Sequence, residues 1–205
     1  MELERRGLTD PVELREEADG VRVVGYAALY NSRSVILPGG FQEMIRPGAF
    51  DASLENPETD VVALWNHDDN FLLGRQSSGT LRLWTDERGL MYSVLMPASR
   101  SDVTEAVRRG DAKGSSFAFT VERDGEEYER SADGGPPLRY INKVRALYDV
   151  SVVVHPAYPE TTAAVRQRAA ELLVEPIAEQ SEPAPLRVSP LARAGHVARW
   201  LRRVS

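Results

Sequence analysis

The sequence predicts a mainly β protein with a few peripheral helices (an α+β arrangement), whose strands form a closed or highly curved antiparallel β-barrel. Three observations predict this class. Between residues 21 and 155, short runs rich in β-branched and aromatic residues alternate with turn residues. One helical pattern interrupts these runs, and a second follows them. Such an order favours a curved sheet over regularly alternating strands and helices.

Composition divides the 205 residues into four segments. Residues 1–20 are polar and acid-rich and are expected to form an arm, and residues 21–174 form the folded domain. Residues 175–188 are rich in Pro and Glu, which is typical of a linker. Residues 189–205 predict a basic amphipathic helix. A helix that docks on a partner and a helix that folds back on the core both fit this last pattern.

Within the folded domain the strand signals follow one another closely. Runs of strand character begin with "VRVVGYAALY" and "VVALWNH". Residues 80–96 predict a hairpin that turns at Glu87–Gly89. Residues 115–131 predict a second hairpin that turns at Asp124 and Gly125, and residues 138–156 predict a further pair of strands.

Two helices accompany these strands. Residues 99–111 predict the first, with Asp102 and Glu105 at the spacing of a capping box and Gly110 at the C-terminal end. Residues 159–174 predict the second, and its apolar face carries Val165, Ala169, Leu172 and Leu173.

Composition also excludes several classes of function. The net charge of −6 disfavours a protein that coats nucleic acid, because phosphate contacts need clustered Lys and Arg. The chain has no cysteine, which excludes thiolate nucleophiles and thiolate metal sites. We find no convergent set of metal ligands and expect no metal or cofactor. No apolar run has the length of a signal peptide core or a membrane span, so we expect a soluble cytoplasmic protein with no membrane partner.

The stretch "KGSSFAF" raises the question of a nucleophilic serine. Side chains alternate across a strand, so Ser115 shares a face with Phe117 and Phe119, which is typical of a core face. Ser116 shares the other face with Ala118, where small neighbours leave room for a substrate. Ser116 is therefore the better candidate, although a turn that leads into a strand also explains both serines.

The histidines and acids supply candidate bases and orienting groups. The chain has three histidines, of which His67 ends a strand and His196 lies in the predicted final helix. In "YDVSVVVHP" alternation puts Tyr148 on the apolar face, with Asp149 and His155 on the other. Six residues separate that pair by roughly 20 Å along a regular strand. A Ser-His-acid site would use Asp149, and a Ser-His-His site would use His155.

Five blocks of sequence, in order, carry a resemblance. They are "GYAALYNSRS", "IRPGAF", "ALWNHDDNFLLGR", "GSSFAF" and "LYDVSVVVHPAYPET", and they span about residues 25–162. In type and spacing they resemble the tailed-bacteriophage prohead (capsid maturation) serine protease family. The resemblance implies a serine endopeptidase with a fold similar to the herpesvirus assembly protease, a β-barrel ringed by helices.

The resemblance also implies roles for particular residues. The family's histidine falls on His67, its serine on Ser116, and its acidic residue on Asp149. Glutamate is the more usual acid, so the aspartate shortens the reach by one methylene. Herpesvirus relatives use a second histidine, which keeps His155 as the alternative third member. Arg75 is a candidate for oxyanion or substrate binding, and a surface salt bridge explains it almost as well.

Partners and location follow from the same resemblance. The implied substrates are the major capsid protein and its scaffold segments, together with the protease itself. The implied location is the immature capsid (prohead) in the host cytoplasm, as a possible homodimer or higher oligomer. A cleavable linker at residues 175–188 would fit self-removal of a targeting segment. The alternative function is a non-catalytic scaffold or assembly module on the same barrel.

Overall fold

The computed structural model describes residues 2–156 together with residues 165, 167 and 169–171. All of these lie within one compact unit, Met1–Glu175. The predicted linker, the predicted final helix and His196 lie outside the described residues.

The described chain is built mainly from strands. The strands are β1 Glu4–Leu8, β2 Glu13–Glu17, β3 Gly20–Leu29, β4 Gln42–Ile45, β5 Val62–Trp65, β6 Asp68–Arg75, β7 Leu81–Thr85, β8 Gly89–Leu95, β9 Gly114–Val121, β10 Glu126–Glu129, β11 Leu138–Ile141 and β12 Val144–Val153. The helices are α1 Asp51–Glu55 and α2 Ser101–Arg109, the second preceded by a 3-10 turn at Ala98–Arg100. Residues 165, 167 and 169–171 are helical as well. The mainly β prediction is confirmed.

The described strands form three sheets, and none of these sheets closes into a barrel. The orders are β1-β9-β12-β5-β6, β2-β3-β8-β7 and β10-β11-β4. The prediction of a closed antiparallel barrel is therefore wrong for the described chain. Two pairings, β12 with β5 and β11 with β4, are also parallel. Local alternation identifies strands, but the partner of each strand is set by contacts between distant segments, which leave little local signal.

The N-terminal segment, predicted as a polar arm, contributes two strands. β1 pairs antiparallel with β9, and β2 pairs antiparallel with β3. Glu4 and Arg6 of β1 are buried despite their charge, because Arg6 pairs with Glu43 and Glu4 pairs with Arg139. Mutual neutralisation thus lets a charged sequence occupy a buried edge strand.

One predicted hairpin is confirmed and the other is wrong. β7 and β8 pair as predicted, with the turn at Asp86–Arg88. β9 and β10 do not pair with each other: β9 lies between β1 and β12, and β10 pairs with β11 across a loop that contains Gly134. β11 and β12, predicted as a pair, also lie in different sheets.

The first predicted helix is confirmed as α2. Gly110 adopts φ +77° at its C-terminal end and donates to backbone carbonyls of the last turn. No side-chain hydrogen bond caps its N-terminus, so the predicted capping box does not form.

The core combines residues from the five-stranded and four-stranded sheets. Phe117 and Phe119 of β9 stack at 4.9 Å and pack in one cluster with Tyr92 of β8 and Val150 of β12. The predicted helix after residue 159 contributes Val165 and Ala169 to a second cluster with Leu37 and Phe41. The first cluster fills one face of β9 and leaves the opposite face for the site.

Candidate active site

The two serines of β9 point to opposite faces, as alternation predicts. Ser115 is fully buried on the core side, with its Oγ 2.9 Å from the hydroxyl of Tyr92. Burial raises the pKa of that phenol, which keeps it protonated as a hydrogen-bonding partner. Ser116 lies on the other face and is 6 % exposed. Ser115 therefore has a structural environment, and Ser116 faces a pocket.

The acid comes from the neighbouring strand, β12. In the β9–β12 ladder Ser151 lies opposite Ser116 and Asp149 lies opposite Ala118, so all four side chains share one face. A β-bulge interrupts this ladder between Leu147 and Asp149. The extra residue, Tyr148, is 48 % exposed rather than buried on the apolar face as predicted.

The histidine sits in a two-residue turn between β5 and β6. Trp65 pairs with Asp68, and the residues between them, Asn66 and His67, have φ of +52° and +56°. Positive φ at both central positions is the signature of a type I′ hairpin turn. A histidine in this region costs about 1–3 kcal/mol, and such strain concentrates at functional sites.

Contacts with β12 hold this strained turn in place. The backbone N–H of Asn66 donates to the carbonyl of Val152 at 3.0 Å. The side-chain Oδ1 of Asn66 accepts from the backbone N–H of Val154, also at 3.0 Å. The turn is thereby fixed beside the end of β12, and the imidazole of His67 reaches across that strand towards β9.

His67 joins the serine and the acid. Its Nδ1 lies 2.6 Å from Oδ1 of Asp149, and its Nε2 lies 2.6 Å from Oγ of Ser116. The side chains of His67 and Asp149 are 12 % and 9 % exposed. A neutral imidazole that carries its proton on Nδ1 satisfies both contacts, since Nδ1 then donates and Nε2 accepts. The shorter aspartate therefore spans the distance to the ring.

The other two predicted site residues, His155 and Arg75, are not part of the Ser-His-Asp arrangement. His155 lines the same pocket of about 320 Å³ as His67 and Ser116, but Nδ1 of His67 is bonded to Asp149. Arg75 lies at the far end of β6, seven residues from Asp68, or roughly 20 Å along the strand. Its Nη1 contacts Asp60 at 2.7 Å, in an exposed ion pair. The structure brings His67, Ser116 and Asp149 together and leaves Arg75 outside.

Sequence reasoning missed three contributors to the site. Ser151 bonds both Asp149 and the backbone of His67, and its position two residues after Asp149 was the signal for it. Arg5 of β1 lines the pocket, and the backbone carbonyl of Arg6 accepts from Oγ of Ser116 at 2.9 Å, as an alternative to Nε2 of His67 for the single hydroxyl proton. No local sequence pattern predicted the roles of Arg5 and the Arg6 carbonyl, because β1 reaches the site only through its pairing with β9.

Within the described chain there is no cluster of three or more His, Cys, Asp or Glu side chains that could hold a metal ion. No helix among the described residues is long and apolar enough to cross a membrane.

Comparison with known proteins supplies one match. The family model of the caudovirus prohead serine proteases matches residues 10–175, which include all three members of the Ser-His-Asp arrangement. No curated protein and no solved structure gave a significant match.

Proposed function

The chain belongs to the caudovirus prohead serine protease family, and from this premise we propose that it is an endopeptidase with Ser116 as its nucleophile. Membership implies a serine peptidase of capsid maturation. The observation that carries the residue assignment is the pair of 2.6 Å contacts that join Ser116, His67 and Asp149 in one line. Nucleophile, base and orienting acid at hydrogen-bonding distance are what this chemistry requires.

The proposed reaction begins when Oγ of Ser116 attacks the carbonyl carbon of the scissile bond. Nε2 of His67 accepts the hydroxyl proton and later donates it to the leaving amine. Asp149 accepts the hydrogen bond from Nδ1, which holds the ring in the required tautomer and stabilises the imidazolium. Water then attacks the acyl-enzyme, with His67 again as the base, and regenerates Ser116.

The oxyanion requires hydrogen-bond donors near Ser116, and losing one such donor typically lowers the rate by about 10²–10³-fold. Arg5 lines the pocket and Arg75 does not. We therefore assign any arginine role in oxyanion or substrate binding to Arg5 rather than to Arg75.

The family gives this activity a setting. A prohead protease acts on capsid proteins inside the assembling shell. We propose that the substrates are the major capsid protein and its scaffold segments, and that the chain also cleaves itself within residues 163–190. A homodimer or higher oligomer is the proposed state during assembly.

The test is intact-mass spectrometry of the purified chain over hours at neutral pH, alone and after co-expression with the cognate major capsid protein. Wild type is expected to shorten itself, the capsid protein or both, whereas Ser116→Ala leaves both whole. Ser115→Ala is the matched control, since it removes a neighbouring buried hydroxyl from the other face and should still cleave. If the wild-type chain and the co-expressed capsid protein both stay intact, the proposal is overturned and a non-catalytic assembly module is favoured.

A further inference from the structure

A second serine hydroxyl, that of Ser151, lies at the junction of the site. Its Oγ lies 2.8 Å from Oδ1 of Asp149, and it accepts from the backbone N–H of His67 at 3.2 Å. It also lies 3.3 Å from Nδ1 of His67. Ser151 is fully buried and faces Ser116 directly across the β9–β12 ladder.

The donor and acceptor roles at this junction are fixed by proton count. The backbone N–H of His67 can only donate, so Oγ of Ser151 accepts there. The single hydroxyl proton of Ser151 therefore goes to Oδ1 of Asp149, an ionised acceptor that forms the stronger bond. That oxygen also receives Nδ1–H of His67. One hydroxyl thus links the carboxylate to the backbone of the residue that carries the imidazole.

We propose that Ser151 is a positioning residue for catalysis. It fixes the rotation of the Asp149 carboxylate about its terminal torsion, which is broad and otherwise weakly constrained. It also holds the His67 end of a turn whose two central residues both have positive φ. Ser151 thereby holds the carboxylate oxygen of Asp149 at hydrogen-bonding distance from Nδ1 of His67, so that Nε2 stays directed at Ser116.

The positioning role rests on the proposed function, and the same contacts would exist if Ser151 only satisfied buried polar groups. The two cases differ in what removal of the hydroxyl does. A purely structural serine affects the free energy of unfolding, whereas a positioning serine also changes the reactivity of Ser116 and the environment of Nδ1–H in the folded protein.

The experiment uses a fluorophosphonate probe on the full chain. Oγ of Ser116 forms a bond to phosphorus, fluoride leaves and Nε2 of His67 accepts the hydroxyl proton. Peptide mass spectrometry then locates the label. Ser151→Ala is expected to lower the labelling rate roughly 10- to 100-fold, the effect of losing a hydrogen bond to a charged group. Ser151→Thr keeps the hydroxyl and should retain most of the rate. Ser115→Ala, which also removes a fully buried hydroxyl, should label at the wild-type rate.

A second readout does not depend on reactivity. The proton NMR resonance of Nδ1–H in His67, assigned by its loss in His67→Gln, is expected to shift in Ser151→Ala and to stay in place in Ser115→Ala. Unfolding midpoints establish that each variant is folded under the conditions used. A Ser151→Ala protein with the wild-type labelling rate and an unshifted resonance would overturn the inference. Wild type that does not label at Ser116 would instead contradict the proposed nucleophile, and the resonance would then decide the positioning role alone.

Discussion

Two polar clusters lie on opposite faces of the same pair of strands, β1 and β9. On one face Ser116, His67 and Asp149 line up beside an open pocket. On the other, Glu4, Arg6, Glu43 and Arg139 form a network of ion pairs in which every side chain is at most 7 % exposed. Both are networks between distant parts of the chain, but the first contacts solvent and contains a strained turn. The four side chains of the second, here called the sealed cluster, are buried, and Arg139 links them to Glu126, which is 30 % exposed.

The difference shows how one strand can serve both clusters. The side chain of Arg6 is held by Glu4 and Glu43, with bonds of 2.5–2.8 Å. The backbone carbonyl of the same residue lies 2.9 Å from Oγ of Ser116. The sealed cluster therefore anchors the strand that borders the nucleophile. We expect changes in the open cluster to abolish reactivity in a folded protein, and changes in the sealed cluster to unfold it.

The largest effect on reactivity short of removing the nucleophile Ser116 or the base His67 is expected from Asp149→Asn. An amide that donates to Nδ1 would leave Nε2 protonated and unable to accept the proton of Ser116, so the labelling rate should fall by about 10³–10⁴-fold. Asp69→Asn makes the same change of charge at an exposed position of β6 and should have little effect. Equal rates in both variants would contradict the assignment of Asp149.

The largest effect on stability is expected from Arg139→Met. Removing this guanidinium leaves the buried carboxylates of Glu4 and Glu43 with the single guanidinium of Arg6 between them. Breaking buried ion pairs in this way typically costs about 3–5 kcal/mol of unfolding free energy. Urea unfolding followed by fluorescence measures it. Arg15→Met is the control, since Arg15 and Glu13 are both more than half exposed and such pairs contribute at most about 1 kcal/mol. If Arg139→Met were as stable as Arg15→Met, the sealed cluster would not anchor β1.

The sealed cluster should also make the free energy of unfolding depend on pH in the acid range. Burial alone would raise the pKa of the Glu4 carboxyl, but the hydrogen bond and charge of Arg139, with Arg6, lower it below the ordinary 4.5. The folded protein therefore binds this proton less readily than the unfolded chain. The stabilisation is complete above pH 4.5 and is lost as the pH falls through the lower, folded-state pKa.

Glu4→Gln tests this dependence. At pH 7 the variant should have a lower free energy of unfolding than wild type. Below pH 4.5 the difference between the two free energies should shrink by at most about 1.4 kcal/mol per pH unit. Urea unfolding at a series of pH values measures the gap. A difference that stays constant from pH 7 to pH 3 would show that Glu4 does not titrate with folding.

The smallest effect is expected from Arg75→Ala. Arg75 pairs with Asp60 at the exposed end of β6, with side chains 44 % and 36 % exposed. Because solvent screens exposed ion pairs, the variant should unfold at nearly the same urea concentration as wild type. The labelling rate should match wild type, because the residue lies far from Ser116. A decrease of more than tenfold in the labelling rate would show that Arg75 contributes to the site. Arg5→Ala in the same assay tests the arginine that lines the pocket.

Part of the site could be predicted because it depends on local geometry. The two-residue period of a strand was enough to put Ser115 in the core and Ser116 on the open face. The positions of His67 and Asp149 followed from resemblance to the family, since their approach depends on a turn and on strand pairing. The bulge that exposes Tyr148 left no sign in the alternation of "YDVSVVVHP". The position of Arg75 outside the site likewise could not be predicted, because it depends on β6 running away from His67.

By itself, the sequence determined the mainly β class, helix α2 with its terminal Gly110 and the faces of β9, and it named Ser116, His67 and Asp149 as candidates. These features depend on contacts within a few residues or on motifs read in order. The tertiary structure decided that the sheets stay open, that the polar N-terminal segment becomes β1, and that Ser151 and the Arg6 carbonyl join the site. The Arg6 carbonyl lies 110 residues from Ser116 and Ser151 lies 84 from His67. Contacts over such separations depend on which strands pair. The burial of a charged residue such as Arg6 depends on ion-pair partners from distant segments, so it cannot be predicted from the local sequence.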